Sequence, residues 1–418
     1  MSDKPRLLVL TSTLPRFVGD PEPGFVLHLS QALSDQFDVT LLAPMGAGAA
    51  RHEYIDEVEI HRYRYLPLHR WETLAYPGGI MPRLRSNPLR WFQVPFLIFG
   101  LILTIRRLHS EHAFDIIHCH WVVPQGLAAL LALREKIRPP IVMTSHGGDL
   151  YTLSKGLTHS LLRWVLPRAS AITVVSDPLA EVARKLGGEN LQRLAMIPMG
   201  VATDRFDASH RTPHWASDLG LQRPVALFVG RLAEKKGVCH LLDALLLEPL
   251  SGLEFNLAIV GDGPLRKQLE RQAARLGLQD KVHFLGPLSY EHMPVYMASA
   301  DLLVAPSVNA SDGDCEGLPT VILEAMASGT AVLTTPVGGI TQAVTDHETG
   351  RLVPERDSPA LARALADLLS DPTERGRLAA NGRRRVQDYS WEHIGNRHAQ
   401  VLLEAMANSN HERSHVEQ

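Results

Sequence analysis

Short runs of Val, Ile and Leu recur along the chain, and almost every position within a run is apolar. The runs begin at Arg6, Asp38, Val58, Asp115, Ile141 and Ala171 in the first half, and at Val225, Phe255, Val282, Asp301 and Ala331 in the second. A strand with one face in water alternates apolar and polar residues, so these runs indicate strands covered on both faces. Helix-like stretches separate them, which predicts parallel sheets in two doubly wound, Rossmann-like α/β domains.

The two series of runs are separated by residues 200–223, a stretch rich in Pro, His, Asp and Ser that shows no sustained periodicity. This stretch predicts an inter-domain linker between an N-terminal domain over residues 1–199 and a C-terminal domain over residues 224–388. Parallel sheets bind ligands at the carboxyl ends of their strands, so we expect the two domains to face a common cleft.

The charge balance and the cysteines narrow the possible functions. The chain has 42 Lys and Arg against 45 Asp and Glu, whereas a dedicated nucleic-acid-binding protein needs a basic excess, so we expect no nucleic-acid partner. Its 3 cysteines lie far apart, which excludes a disulfide framework and fits a reducing cytoplasm. Residues 1–12 are too polar for a secretory signal, which also favours a cytoplasmic protein.

A basic loop follows the first predicted strand of the second half. That strand ends at Gly230, and Arg231 and Lys236 come next within one loop. Arginine can place two N–H groups on phosphate oxygens and lysine adds a point charge, so the loop suits a diphosphate. A solvated basic loop before a helix gives the same pattern, and this stretch alone leaves both interpretations open.

The segment from Glu316, EGLPTVILEAMASG, predicts a helix whose start binds an anion. Pro319 fits the first helical turn, and Gly329 fits the position just past the helix end. The backbone N–H groups at the start of such a helix have no partner within it and attract anions. Here the backbone N–H groups that would bind the anion are those of Gly317, Leu318 and Thr320.

Two glutamates accompany this anion site, Glu316 just before the helix and Glu324 within it. A carboxylate beside an anion makes electrostatic sense when it accepts hydrogen bonds from neutral hydroxyls. A sugar nucleotide offers that combination, because its diphosphate lies between a ribose and a pyranose. Acids placed only to complement the helix dipole would explain Glu316 but not Glu324.

These segments, GRLAEKKG at 230–237 and EGLPTVILEA at 316–325, resemble glycosyltransferase family 4. The resemblance covers most of the chain, because further matching segments stand in the family's order at 144–150, 197–206, 259–270 and 282–293. It implies the GT-B fold, with two Rossmann-like domains facing a cleft. It also implies transfer of a hexose-type sugar, with retention, from a nucleoside-diphosphate sugar to a hydroxyl acceptor.

The resemblance also implies roles for individual residues. Arg231 and Lys236 would bind the donor diphosphate and stabilise charge on the leaving group. Glu316 would contact the transferred sugar, Glu324 the ribose, and His146 would face the sugar from the first domain. Further donor-binding positions would be Gly24, Gly230, Gly317, Leu318, Pro319 and Thr320, with Leu288 lining the base pocket.

Two metal sites are conceivable. Asp312-Gly313-Asp314 resembles the metal-binding Asp-x-Asp of the other large glycosyltransferase fold, but a turn is favoured because Arg231, Lys236 and the helix already cover the diphosphate. We therefore expect no metal and no cofactor. His118 and His120 share one face of a predicted strand, but no third ligand is evident nearby, so a polar strand end is favoured.

Other classes of enzyme fit less well. A nicotinamide-dependent oxidoreductase would show GxGxxG after the first strand, and the segment there is TSTLPRFVGDPEPG. A sugar-nucleotide epimerase of the same fold, a non-catalytic sugar-nucleotide binding module and a family 4 synthase with a soluble sugar acceptor remain open.

Two features of the first domain suggest an acceptor at a membrane. Gly24, followed by Phe25-Val26, resembles a branch of the family that builds bacterial exopolysaccharides and cell-wall polysaccharides, which implies a lipid-linked or polysaccharide acceptor. Residues 94–105 form the most apolar run, about twelve residues, and arginines flank it. That run is either an element that contacts anionic lipid on the cytoplasmic face or a core helix of the first domain.

Residues 389–408 resemble the family's C-terminal helix, which crosses back to the first domain.

Overall fold

The computed structural model describes residues 4–416 apart from 18, 21, 136–137, 154–155, 189–190, 192 and 312–315. The chain divides into two compact units, the first formed by Met1–Pro198 with Trp391–Gln418 and the second by Met199–Ser390. Each unit is an α/β structure built on its own sheet, as the strand pattern of the sequence predicts.

The first unit contains an eight-stranded sheet in the order β3-β4-β2-β1-β5-β6-β7-β8. Its strands are β1 Arg6–Leu10, β2 Asp38–Pro44, β3 His52–Ile55, β4 Val58–Tyr63, β5 Ile116–His120, β6 Ile141–Ser145, β7 Ala171–Val174 and β8 Leu194–Met196. The pair β3–β4 is antiparallel and every other pair is parallel. Each apolar run of the first half forms a strand, whereas the two edge strands, β3 and β8, are not predicted by any run.

Helices cover this sheet. They are α1 Phe25–Leu33, α2 Ile80–Ser86, α3 Gln93–His112, α4 Leu127–Ala132, α5 Gly148–Leu153, α6 Leu157–Val165 and α7 Asp177–Gly187. The central strands β1, β5 and β6 are buried along nearly their whole length, which is why they carry no polar alternation.

The second unit contains a six-stranded parallel sheet in the order β11-β10-β9-β12-β13-β14. Its strands are β9 Val225–Val229, β10 Asn256–Val260, β11 Val282–Gly286, β12 Leu302–Ala305, β13 Val332–Thr334 and β14 Arg351–Leu352. Its helices are α8 Trp215–Asp218, α9 Val238–Ala244, α10 Arg266–Arg275, α11 Met293–Ser299, α12 Thr320–Ala327, α13 Ile340–Ala343, α14 Ser358–Ser370 and α15 Pro372–Arg385. Two apolar clusters of buried side chains stabilise this unit.

The C-terminal helix α16, Trp391–Val416, belongs to the first unit. Its Ile394, Ala399 and Leu402 are buried in the same cluster as residues of α1 and β1. Gly395 lies against Ala32 of α1, where an added Cβ atom would come within 2.7 Å of the alanine methyl carbon. The helix begins two residues after the start of the predicted segment 389–408 and continues beyond its end.

The predicted linker at residues 200–223 is wrong, because this stretch is part of the second unit. Val201, Phe206, Trp215 and Leu221 are buried in one of that unit's two apolar clusters. These side chains are spaced irregularly among polar residues, and the only α-helix among them, α8, has four residues, so neither a helical nor a strand period reveals them. The boundary between the units falls instead after Pro198 and after Ser390.

Replacing Trp215 with alanine should therefore destabilise the second unit. The indole is almost fully buried and packs edge-on against Tyr296, so its loss leaves a cavity and should cost about 3–5 kcal/mol of unfolding free energy. Urea denaturation would measure the change. His214→Ala, one residue earlier and exposed, is the matched control and should change stability little. Equal stabilities of the two variants would mean that residues 200–223 are a linker after all.

Candidate active site

The strand order of the second unit reverses beside β9. From β9 the chain proceeds outward to β10 and β11, then returns to place β12 on the other side of β9. In open α/β sheets ligands bind outside the carboxyl ends of the strands at such a reversal. The loops that leave β9 and β12 contain Arg231, Lys236 and Glu316, so the topology brings these predicted residues to one place.

The loop after β9 is held in place by close backbone contacts. Leu232 N–H donates to the carbonyl of Asp262 at 2.9 Å. A Cβ atom on Gly261 would overlap the carbonyl oxygen of Gly230, and one on Gly263 would come within 2.5 Å of the carbonyl oxygen of Leu232. The Gly-Asp-Gly turn after β10 therefore has a specific role here, since its two glycines allow the neighbouring loop to approach.

Lys236 forms an ion pair with Glu316. The Nζ atom of Lys236 lies 3.3 Å from Oε2 of Glu316, and the Nζ atom of Lys235 lies 3.6 Å from Oε1. Burial alone would raise the pKa of Glu316, but the two ammonium groups outweigh it and hold that pKa below its ordinary value. Glu316 is therefore an ionised, buried carboxylate at neutral pH. Its Oε1 atom accepts no hydrogen bond from the residues that the structure describes.

Glu324 lies on the buried face of α12 and has a different environment. Burial raises the pKa of its carboxyl group to about 7, although contact with Thr320 and the charges of Arg205 and Lys236 lower it in part. The guanidinium of Arg205 stacks over the ring of Tyr290, with its central carbon 4.5 Å from the ring centroid. Glu324 can thus exist in both protonation states near neutral pH.

Arg205, Tyr290 and Lys235 belong to this site, although sequence reasoning did not single them out. Arg205 and Tyr290 lie within segments 197–206 and 282–293, which resemble the family, and Lys235 adjoins Lys236 in the basic loop. The resemblance to the family therefore pointed to the segments that contain these residues. The spacing of residue types along the chain does not distinguish them from their neighbours.

The loop between β12 and α12 presents free backbone donors. Within the described residues, the N–H groups of Gly317, Leu318 and Thr320 donate to no backbone or side-chain acceptor. The carbonyl of Gly317 accepts from the N–H of Gly339 at 2.5 Å, and a Cβ atom on Gly338 would overlap the carbonyl oxygen of Glu316. The turn at Gly338, with φ of +60°, therefore supports the Glu316 loop from behind.

The ends of α12 differ slightly from the sequence prediction. Pro319 precedes the helix as its N-cap residue, with extended backbone angles, and the first helical residue is Thr320. The predicted placement of Pro319 inside the first turn is therefore wrong by one position. Gly329 follows the C-cap residue Ser328 and has a φ of +70°, as its predicted terminating role requires.

The other residues of this unit that were predicted to bind the sugar-nucleotide donor lie around the same loops. Arg231 is exposed, and its side chain has no hydrogen bond or ion pair with any described residue. Gly230 contacts the side chain of Lys236, whose Cε atom would lie 3.4 Å from an added Cβ. Leu288 packs, partly buried, against the cluster that contains Leu318.

His146 lies at the end of β6 in the first unit, where it contacts several aromatic rings. Its ring centroid is 4.9 Å from that of Phe25 and 5.1 Å from that of Trp121. Its Nε2 atom is 2.9 Å from Nδ1 of His120. Burial lowers the pKa of His146 to about 3, so the imidazole is neutral at physiological pH.

Gly24 immediately precedes Phe25 and is the N-cap residue of α1. An added Cβ atom would meet the ring of His28 at 3.4 Å, an ordinary contact, so packing within the first unit does not require glycine at this position. Gly24 and His146 lie near each other, because Phe25 follows Gly24 in the chain and its ring contacts that of His146. The other predicted site residues lie in the second unit.

Two further imidazoles, which were not evident from the sequence, lie near His118 and His120. The ring of His118 lies 4.5 Å from that of His120 and 5.4 Å from that of His398 in α16, and His120 stacks on His146 at 5.2 Å. The missing neighbours come from distant parts of the chain, so strand spacing cannot reveal them. Burial lowers the pKa of His118 to about 4, which indicates a neutral buried cluster.

The Asp-x-Asp segment, Asp312-Gly313-Asp314, lies outside the described residues. Its predicted turn therefore stays a prediction.

Two family models match the chain. The one described as Glycosyltransferase Family 4 matches residues 25–205, and the one described as Glycosyl transferases group 1 matches residues 211–385. Their boundaries agree with the order of the two units along the chain.

Individual proteins resemble the chain as well. It is 33% identical over 304 residues to the GDP-mannose-dependent alpha-(1-6)-phosphatidylinositol monomannoside mannosyltransferase of Mycolicibacterium smegmatis, covering 71% of this chain and 78% of the relative. It is 29% identical over 380 residues to TuaC of Bacillus subtilis, named for teichuronic acid biosynthesis, covering 86% and 88%.

Among solved structures, the sucrose-phosphate synthase of Thermosynechococcus elongatus superposes with a TM-score of 0.76 at 23% identity, over 97% of this chain and 100% of that one. This likeness shows that the chain has the GT-B fold, which consists of two Rossmann-like α/β units. The mycobacterial relative extends the likeness from fold to family, because 33% identity spans most of its length. The chain therefore belongs to glycosyltransferase family 4.

Proposed function

We propose that the protein transfers a hexose-type sugar, with retention, from a nucleoside-diphosphate sugar to a hydroxyl group of a lipid-linked or polysaccharide acceptor. The observation that carries the proposal is the ion pair of Lys236 with Glu316, close to the buried Glu324, at the carboxyl ends of β9 and β12. The cation suits a diphosphate, and the two carboxylates suit the hydroxyls of the sugars on either side of it.

The chemical step is governed by charge on the leaving group. Glycosyl transfer passes through an oxocarbenium-like state while negative charge collects on the departing diphosphate. Arg231 has no competing acidic partner among the described residues, and Lys236 is oriented by Glu316. Together with the N–H groups at the start of α12, these cations would stabilise the developing charge without rearranging. The proposal therefore includes no metal ion and no cofactor.

The two glutamates would hold the sugars in different ways. Glu316 is ionised and has one oxygen without a hydrogen-bond donor, so it can accept from hydroxyls of the transferred sugar. Glu324 would accept from both ribose hydroxyls, which requires the carboxylate form. Leu288, between β11 and α11, would contribute to the base pocket through its apolar side chain.

His146 would face the sugar as a neutral group. Its Nε2 atom lies 2.9 Å from Nδ1 of His120, and this contact orients the ring. A neutral, oriented imidazole can form a hydrogen bond with a sugar hydroxyl without adding positive charge beside the oxocarbenium-like centre.

The names of the relatives favour an acceptor from a bacterial polysaccharide or glycolipid pathway, since one is named for a phosphatidylinositol mannoside and another for teichuronic acid. The surface of the first unit supports a lipid-linked acceptor. Leu97, Leu101, Ile105 and Leu108 of α3 are buried. Elsewhere on α3 and on the turn of helix before it, large apolar side chains are exposed. They are Leu89, Trp91, Phe92, Phe96, Phe99 and Leu103, which we call the apolar surface.

This helix corrects the sequence analysis in one respect. Residues 94–105 alone are too short to span a membrane, but the helical segment Pro88–His112 is 25 residues and is long and apolar enough by length and composition. Packing argues against spanning, because crossing would expose the buried leucines of α3 and unfold the unit. Contact with the membrane surface uses only the apolar surface and agrees with nearby Arg83, Arg85 and Arg90 attracting anionic lipid. We therefore propose a peripheral, cytoplasmic protein.

Removing either cation should slow transfer. Lys236→Ala and Arg231→Ala should each lower turnover by about 10²-fold or more, because each removes a preorganised group that stabilises the leaving diphosphate. Transfer of labelled sugar to a membrane-lipid extract, with analysis of the product's anomeric configuration, would measure the rate and test retention. Lys267→Ala, exposed on α10, is the control and should leave turnover unchanged.

Three results would contradict this assignment: parental turnover in both cation variants, loss of activity in excess chelator, or release of an isomerised sugar nucleotide without an acceptor. The last result would indicate an epimerase.

Donor affinity should increase with pH through the titration of Glu324. Its pKa of about 7 means that the carboxylate fraction rises about tenfold between pH 6 and pH 8, and only the carboxylate accepts from both ribose hydroxyls. Calorimetry with an intact sugar nucleotide would measure this, because its diphosphate diester does not titrate in that range. Glu324→Gln should bind more weakly and without the pH dependence, whereas the exposed control Glu291→Gln should retain it. A pH dependence that persists in Glu324→Gln would contradict the assignment.

The protein should co-sediment with anionic vesicles at low salt and less with neutral vesicles. Phe92 and Phe99 are 71% and 60% exposed, so replacing both with serine should weaken vesicle binding by at least about tenfold. Leu246→Ser, an exposed apolar residue of the second unit, is the matched control. If the parental protein stays in solution at low salt, the membrane proposal fails.

A further inference from the structure

A second group of chemically active side chains lies on the outer face of the hairpin formed by β3 and β4. His52 of β3 pairs directly with His61 of β4, and Glu59 stands two residues before His61 on the same face. Side chains two residues apart on a strand, and those directly opposite on the next strand, project from the same side of a sheet. The backbone register therefore gathers two imidazoles and one carboxylate at the edge of the first unit's sheet.

The three side chains converge on one point. The Nε2 atoms of His52 and His61 lie 2.9 Å and 3.0 Å from the same oxygen, Oε1 of Glu59. The two imidazole rings are stacked, with centroids 4.5 Å apart and planes 28° apart. The other oxygen, Oε2, accepts a long hydrogen bond from Thr40 Oγ1 at 3.4 Å, so the carboxylate is oriented from behind.

This arrangement is that of a metal-binding tripod. One ligand atom from each side chain lies within 4.8 Å of the other two, and no other group of three or more such residues in the described part of the chain meets this criterion. Tetrahedral zinc with bonds of about 2.0–2.2 Å separates its ligand atoms by about 3.4 Å. Small side-chain rotations would bring the three atoms to that spacing, and the His52 side chain, 48% exposed, is free of tight packing that would oppose its rotation.

We propose that His52, Glu59 and His61 bind a divalent transition-metal ion of the zinc class. Two imidazoles and one carboxylate are a donor set that Zn²⁺ accepts, with a fourth position open to water. The ion would replace the two N–H···O hydrogen bonds with coordinate bonds and would join the edge strand β3 to β4. Its role is structural, because the tripod lies on an outer sheet face and shares no residue with the proposed donor site.

Binding should be measured on the full chain, without a polyhistidine tag and after dialysis against a chelator. Calorimetric titration with Zn²⁺ should give one saturable site, and Co²⁺ as a spectroscopic probe should show the visible absorption of a four-coordinate ion. His52→Ala and Glu59→Gln should each weaken Zn²⁺ binding at least about tenfold. His347→Ala is the matched control, because that exposed imidazole lies 3.8 Å from Asp346 in the second unit and outside the tripod.

Hydrogen exchange followed by mass spectrometry locates the site independently. Zn²⁺ should slow amide exchange in residues 52–61 of the parental protein and of His347→Ala, and should have no such effect in His52→Ala. The proposal is overturned if His52→Ala and Glu59→Gln bind Zn²⁺ with the parental affinity, if the parental protein shows no saturable binding, or if protection appears only elsewhere. His52 is exposed and lies on an edge strand, so its replacement should leave the fold intact.

Discussion

The proposed donor site depends on one ion pair, between Lys236 and Glu316, that connects the loops after β9 and β12. Glu316 is buried, and a buried carboxylate without a partner is strongly destabilising. The two lysines of the basic loop supply the compensating charge, so each loop fixes the position of the other. Around this pair, glycines at positions 261, 263 and 338 lack the side chains that would otherwise keep the backbones apart.

The two glutamates, although both lie in the same segment, have opposite electrostatic environments. Lysine charges keep Glu316 ionised, whereas burial within the helix pushes Glu324 toward protonation. In the first unit, burial has a similar effect on the imidazoles, where His118, His120, His146 and His398 lie together and are held neutral. Fixed charge at the proposed donor site is thus carried by Lys235, Lys236 and Glu316, whereas the buried imidazoles of the first unit are neutral.

Much of this arrangement could be predicted from sequence, because its physical causes are local. A strand buried on both faces must be apolar throughout, so the central strands were visible as runs, and Gly329 was visible as the end of a helix. Long-range packing was not visible. The edge strand β3 alternates in exposure and is short, Trp215 lies in a stretch without periodicity, and His398 reaches His118 from almost three hundred residues away. Arg205 and Tyr290 join the site only because the fold brings their loops to Glu324.

The position of helix α16 makes folding of the first unit depend on the order in which the chain is synthesised. The second unit is a continuous segment and can fold as soon as Ser390 has left the ribosome, whereas the first unit is completed by residues that follow the second in the chain. Until α16 emerges, the surface of α1 that receives Ile394 and Leu402 stays open to water. The nascent first unit would therefore expose apolar side chains throughout translation of the second, and chaperones bind such surfaces.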